Sequence, residues 1–123
     1  MDVRFHHIMS CKAAVHHAGN VAIIDLSGRI TLGEGCALVR ATIQNLLQEG
    51  QINLLLNLAE VTYMDSAGLG ELVGSYASIT NRGGKIKLLN AQGRVAEVLN
   101  VTKLYTVFET FTDETAALRS FGA

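Results

Sequence analysis

An α/β domain is what this sequence predicts, with a mixed, mainly parallel sheet and helices packed against it in the order ββαβαβαβα. Three observations carry the prediction. VAIIDL and INLLLNL are short apolar runs bounded by turn residues, as buried strands are. Apolar residues elsewhere recur at helical spacing. Strand and helix patterns alternate, which implies right-handed crossovers between parallel neighbours. A chain of 123 residues holds one core and has no room for a second. Residues 10–123 are therefore read as one domain. Residues 1–9 carry no pattern and are read as an N-terminal arm.

The elements follow in order. Ser10 to His17 reads as a strand, Ala18-Gly19-Asn20 as a turn, and Val21 to Leu26 as a second strand, so a hairpin opens the domain. Gly28 is expected to break the strand. Thr31 to Glu34, T-L-G-E, has the spacing of a capping box. The helix it predicts carries Cys36, Val39, Ile43, Leu46 and Leu47 on one face, and Gly50 suits its stop. Ile52 to Leu58 reads as a strand covered on both faces. Leu69, Leu72, Val73, Tyr76 and Ala77 mark the next helix, ended by Asn81-Arg82-Gly83-Gly84. Lys85 to Asn90 alternates before turning apolar, as a strand nearer a sheet edge does. Val95, Val98 and Leu99 suggest a third helix and Thr106 to Phe111 a last strand. Thr112-Asp113-Glu114 would cap a terminal helix ending near Phe121, with acids where the helix dipole favours them.

Composition excludes several function classes. The chain is 49% hydrophobic and 17% charged with a net charge of −1, so it buries a core and carries no basic stripe for nucleic acid or anionic lipid. Its apolar runs are far shorter than a bilayer span, and MDVRFHHIMSCK lacks the apolar core of a signal peptide. A cytoplasmic protein without membrane insertion is the expectation. Cys11 and Cys36 lack metal or redox spacing and are read as structural thiols. There is no proline, so turns fall to Gly, Asn and Asp.

The stretch MDSAGLG, Met64 to Gly70, is the candidate site. Ser66 between strand and helix outlines a nucleophile elbow, but G-x-S-x-G is absent. All four histidines, His6, His7, His16 and His17, lie at the N-terminal end, upstream of Ser66. A serine hydrolase is improbable on these grounds. Gly68-x-Gly70-x-x-x-Gly74 misses the dinucleotide fingerprint and lies too far past the apolar strand, and Gly83-Gly84-Lys85 precedes a strand. The glycines after Ser66 are read as close backbone packing. The histidine pairs have no acid or cysteine cluster beside them, and no metal, catalytic residue or cofactor is expected. Two readings of Ser66 remain and are compatible. Asp65 or Ser66 caps the helix, worth about 1 kcal/mol. Alternatively Ser66 accepts phosphate, because a helix N-terminus offers unpaired amides to a charge of about −1.5 to −2.

V-T-Y-M-D-S-A-G-L-G, the L-V-G-S-Y helix after it, and N-R-G-G-K-I-K-L-L-N resemble STAS domains, specifically the bacterial anti-sigma factor antagonists, from about Ala13 to Leu118. The resemblance implies a STAS-like fold and a protein switch. The unphosphorylated antagonist binds an anti-sigma factor that is a serine kinase with a GHKL-type ATP site, and a sigma factor is freed. The kinase phosphorylates the signature serine, here Ser66, and a PPM-type phosphatase resets it. Asp65 matches the acid beside the acceptor, and Gly68, Leu69 and Gly70 match the turn into the helix that the partner touches. Ala67, Leu69 and Leu72 are expected to form a small apolar patch there. The sequence departs from the family at Thr31, where G-R-I-T stands for G-x-[LI]-D and an acid near the acceptor is lost. Thr31 joins the set as a candidate contact. The nucleotide then belongs to the partner. The alternative is a STAS scaffold, as in stressosomes or lipid transporters, with no phosphorylation cycle. Oligomeric state, including a homodimer, is left open by the sequence.

Overall fold

The computed structural model of the chain describes residues 11–122. The arm over residues 1–9, His6, His7 and the predicted strand start at Ser10 lie outside these. Five strands form one sheet in the order β1-β2-β3-β4-β5: β1 Cys11–Ala18, β2 Val21–Ile30, β3 Asn53–Met64, β4 Lys85–Leu89 and β5 Thr110–Phe111. The helices are α1 Glu34–Gln48, α2 Ser66–Asn81, α3 Gly93–Val101 and α4 Glu114–Arg119. Strands β1 and β2 pair antiparallel, and every later pair is parallel. The expected mixed, mainly parallel sheet is thus what forms.

Period-two alternation divides the apolar residues between two faces. Ala22, Ile24, Leu26, Leu54, Leu56 and Leu88 pack with Val39 and Ile43 of α1 and Leu72 and Ile79 of α2. Val21, Ile23, Leu55 and Leu89 face the other way, under Ala117 and Phe121 from the α4 end of the chain. Lys87 lies on that second face, 5% exposed. Its ammonium donates to the Ser120 carbonyl and hydroxyl, each at 2.9 Å, pairs with Glu109 at 2.8 Å, and lies over the Phe121 ring. A buried lysine persists only when its donors are satisfied in this way.

Both long helices stop as the glycines predict. After α1, Gly50 (φ 84) donates to the Leu47 carbonyl and Gln51 to that of Leu46. After α2, Gly83 donates to Thr80 and Gly84 to Ile79. This paired pattern is a Schellman motif, which uses carbonyls the helix leaves open.

Four expectations are corrected. Gly28 (φ 89) does not break β2. It sits among two register shifts, and the strand bends and continues to Ile30. Strand β3 runs past Leu58 to Met64, because Val61 and Met64 still face the core beyond the irregularity. The last strand is only Thr110–Phe111. Lys103 turns left-handed (φ 61), Leu104–Thr106 coil into a 3-10 turn, and Phe108 is driven into the core at 1% exposure. The capping box does not form. The N-cap of α1 is Gly33, with φ 99, and no side chain caps the helix. The chain needs a left-handed step before α1 that threonine could not supply. Thr31 contributes its carbonyl instead, accepting from the Cys36 amide at 3.1 Å.

Candidate functional site

Parallel α/β sheets place their functional loops at the carboxyl ends of the strands. Strands β2 and β3 end side by side here, with Ile30 and Met64 in register. The loop 31–33 leaves β2, and Asp65 leaves β3. One carboxylate ties the two exits together. Asp65 is the N-cap of α2, and its Oδ1 accepts from the Gly68 amide at 2.8 Å. Its Oδ2 accepts from the Leu32 amide at 3.0 Å. Those amides, Leu32 first, hold the Asp65 carboxyl below the ordinary aspartate range, against a smaller opposing effect of burial.

Both alternatives for the cap are thereby separated. Asp65 caps and Ser66 does not. Ser66 is the first residue of α2, exposed, and its hydroxyl makes no bond among the described residues.

Gly68 is buried, and only glycine fits there: a Cβ would collide with the Ile30 carbonyl and sit 2.8 Å from the Met64 Cγ. The close-packing reading holds at this residue. It does not hold at Gly70 or Gly74, where an added Cβ meets nothing within 4 Å. Ala67 and Leu69 are half-buried beside Ser66, and Gly70 is exposed. Leu72 leaves the expected patch. At 0% exposure it belongs to the core under α2 and has no surface to offer a partner. Of the residues whose spacing marked this helix, Val73 and Ala77 turn outward, while Leu72, Ser75 and Ile79 are buried.

The apolar surface at the site comes from a residue the sequence reading missed. Leu32 is 79% exposed, at the tip of the loop that Asp65 holds. No sequence signal marks it: Leu32 continues the strand period of Ile24, Leu26 and Ile30 and also the helical spacing to Cys36 and Val39, so either pattern would bury it. Thr31 is half-buried next to it.

Beside these loops, Arg40 of α1 meets Glu71 of α2 through two hydrogen bonds, at 2.6 and 3.2 Å. A groove of about 570 Å³ runs from that pair between the helices toward Arg82, and neither Asp65 nor Ser66 lines it. Cys36 is buried near the same acids. Burial first, and then the charges of Asp65 and Glu71, raise its thiol above the usual range. Cys11 and Cys36 form no disulfide with each other. His16 pairs with Asp25 at 3.0 Å, and among the described residues no three His, Cys, Asp or Glu side chains converge as a metal site. No helix of the described residues is long and apolar enough to cross a membrane.

Comparisons with known proteins agree with this geometry. The STAS domain model matches residues 12–117. An anti-sigma F factor antagonist from Paenibacillus polymyxa is 30% identical over 111 residues, covering 89% of this chain and 94% of that protein. Among solved structures, an anti-sigma factor antagonist from Mycobacterium paratuberculosis superposes with a TM-score of 0.81 at 21% identity, over 93% of this chain and 96% of that one. SpoIIAA, a Bacillus cell fate determinant solved in its phosphorylated form, superposes at 0.69 with 22% identity, over 89% and 99%. At these identities the solved structures speak to the fold.

Proposed function

This chain belongs to the STAS domain family, and from that premise we propose that it is an anti-sigma factor antagonist switched by phosphorylation of Ser66. Unmodified, it binds an anti-sigma factor that is a GHKL-type serine kinase, and a sigma factor is released. Phosphorylated, it lets go, and a PPM-type phosphatase restores it. It works in the cytoplasm, as a binding protein and not an enzyme. The names of its relatives support the antagonist role, and the phosphorylated form of SpoIIAA supports the modification.

The observation that carries the switch is the division of labour at the start of α2. Asp65 fills the cap, which leaves the Ser66 hydroxyl exposed and uncommitted at the positive end of a helix. The serine oxygen attacks the terminal phosphorus of the partner's ATP, the bond to ADP breaks, and the serine proton leaves. Asp65 is a poor acceptor for that proton. Both of its oxygens are engaged by amides, and its proton affinity is lowered. The base is therefore assigned to the kinase, and Asp65 positions the loop. The phosphate would sit beside Leu32, Ala67 and Leu69. A dianion buried unpaired in an apolar contact costs several kcal/mol, enough to break the complex.

The test is intact-mass analysis after incubation with ATP and each GHKL-type kinase of the source genome. One kinase should add a single phosphate to the wild type and none to Ser66→Ala. No phosphate from any of them overturns the switch and favours the scaffold.

A further inference from the structure

Two arginines share the ring of Tyr63. The guanidinium carbon of Arg29 lies 4.6 Å from the ring centroid and that of Arg94 lies 5.8 Å from it. Arg29 and Tyr63 are register partners near the ends of β2 and β3, and Arg94 is in the first turn of α3. Three separate elements thus bring two cations to one aromatic ring.

The start of α3 does not explain Arg94. A cation in the first turn of a helix opposes the dipole. The N-cap of α3, Gln92, makes no side-chain cap bond and reaches the Ala59 carbonyl at 3.4 Å instead. Arg40 and Lys87 have acids beside them, at Glu71 and Glu109. Among the described residues neither Arg29 nor Arg94 has a carboxylate or a hydrogen-bond acceptor. The ring orders both side chains and leaves their donor forks open. A positive cluster that is held in place and, among the described residues, has no counter-charge suits an external anion.

We propose that Arg29, Tyr63 and Arg94 form a docking site for an acidic segment of the protein that engages Ser66, an inference that rests on the reading of Ser66 as the partner-facing residue. Carboxylates match the paired N–H donors of guanidinium, and Arg with Tyr is the composition of protein–protein anchor points. The remainder of the chain argues against nucleic acid, since the net charge is −1 and no basic stripe extends the cluster. The position is continuous with the switch. Arg29 is two residues before Thr31, and Tyr63 is two before Asp65.

The test follows the arginine side-chain Nε–H resonances during titration with three probes: a capped peptide of alternating Glu and Asp, inorganic phosphate, and a short oligothymidylate. The peptide alone should move Arg29 and Arg94 saturably, while Arg40, Arg82 and Arg119 stay in place. Arg29→Gln and Arg94→Gln should each weaken the peptide roughly threefold, and together about tenfold, as exposed ion pairs do. Equal movement of all arginines, or a response to phosphate or oligothymidylate as strong as to the peptide, overturns the proposal. The wild-type titration stands without the variants. Ser66→Ala should bind the peptide unchanged, so a failure here is separable from a failure of phosphorylation. A phosphorylated Ser66 without a peptide response sinks the acidic site alone, and a peptide response without phosphorylation by any kinase sinks the switch alone.

Discussion

The Asp65 carboxylate accepts the backbone amide of Leu32 at 3.0 Å, across 33 residues of sequence. Its other oxygen accepts Gly68. One side chain therefore fixes both the start of α2 and the loop that displays Leu32. Asp65→Ala removes both bonds. It should lower stability by about 1 kcal/mol for the cap. Amide exchange at Leu32 should rise more than at the core strands. Unchanged protection at Leu32 would show that the loop is held by other means.

Acid should release the same clamp. The two donated amides lower the folded pKa of Asp65 below its ordinary value of 3.8. A carboxylate shifted down in the folded state adds stability above its unfolded value and loses it as pH falls through the folded one. The Leu32 and Gly68 amide shifts should thus be flat from neutrality to the ordinary aspartate range and change only below it. Asp65→Asn should abolish that transition. A midpoint above 3.8 would contradict the clamp.

The sequence made the sheet and the helix stops legible because those depend on local chemistry. VAIIDL and INLLLNL are short apolar runs bounded by turn residues, which fit buried strands, and Gly50 and Gly83 supply left-handed residues where the helices end. Asp65 and Ser66 were legible as a helix start. The capping box at Thr31 failed because its spacing is local while the deciding step, Gly33 at φ 99, is set by how the loop crosses to α1. Leu72 was misplaced for a related reason. Helical spacing puts it on the same face as Leu69, but only the depth of α2 against the sheet tells a core leucine from a rim one. The joining of Arg29, Tyr63 and Arg94 needs strand register and was invisible in the sequence.

Two glycines of α2 should respond to alanine in opposite directions. At Gly68 the added Cβ collides with the Ile30 carbonyl, which is backbone and cannot turn aside. Gly68→Ala should cost roughly 1–3 kcal/mol, as overpacking does. At Gly70 nothing lies within 4 Å, and the residue is exposed within the helix. Gly70→Ala should gain about 0.5–1 kcal/mol by removing backbone freedom from the unfolded chain. Urea midpoints of the two variants decide this, and a stabilised Gly68→Ala would show that β2 and α2 are not in close contact.

Cys36 should resist alkylation. It is 5% exposed, and burial with the charges of Asp65 and Glu71 keeps its thiol protonated. The thiolate is the reactive form. Iodoacetamide at neutral pH should leave Cys36 unmodified in the native protein and label it in urea. Asp65→Asn removes one of those charges and should shift the onset of labelling to lower pH. Native labelling of Cys36 as fast as in urea would place the thiol outside the core.

The structural part played by Ser66 can be separated from the switching role proposed for it, because Asp65 already caps the helix. If Ser66 were the cap, Ser66→Ala would cost about 1 kcal/mol. With Asp65 in that place, the exposed hydroxyl carries no bond, and Ser66→Ala should stay within about 0.5 kcal/mol of wild type. Ser66→Asp puts an acid in the first turn of α2, where the dipole favours it by about 0.3–1 kcal/mol, so its fold should be at least as stable. Binding should divide the two variants. Ser66→Ala should hold the anti-sigma kinase constitutively. Ser66→Asp adds a charge at the exposed start of α2 and should weaken the complex at least tenfold, which takes only about 1.4 kcal/mol. Calorimetry of both variants, with denaturation curves alongside, distinguishes a lost fold from a lost partner. Wild-type affinity in a folded Ser66→Asp would overturn charge as the releasing agent.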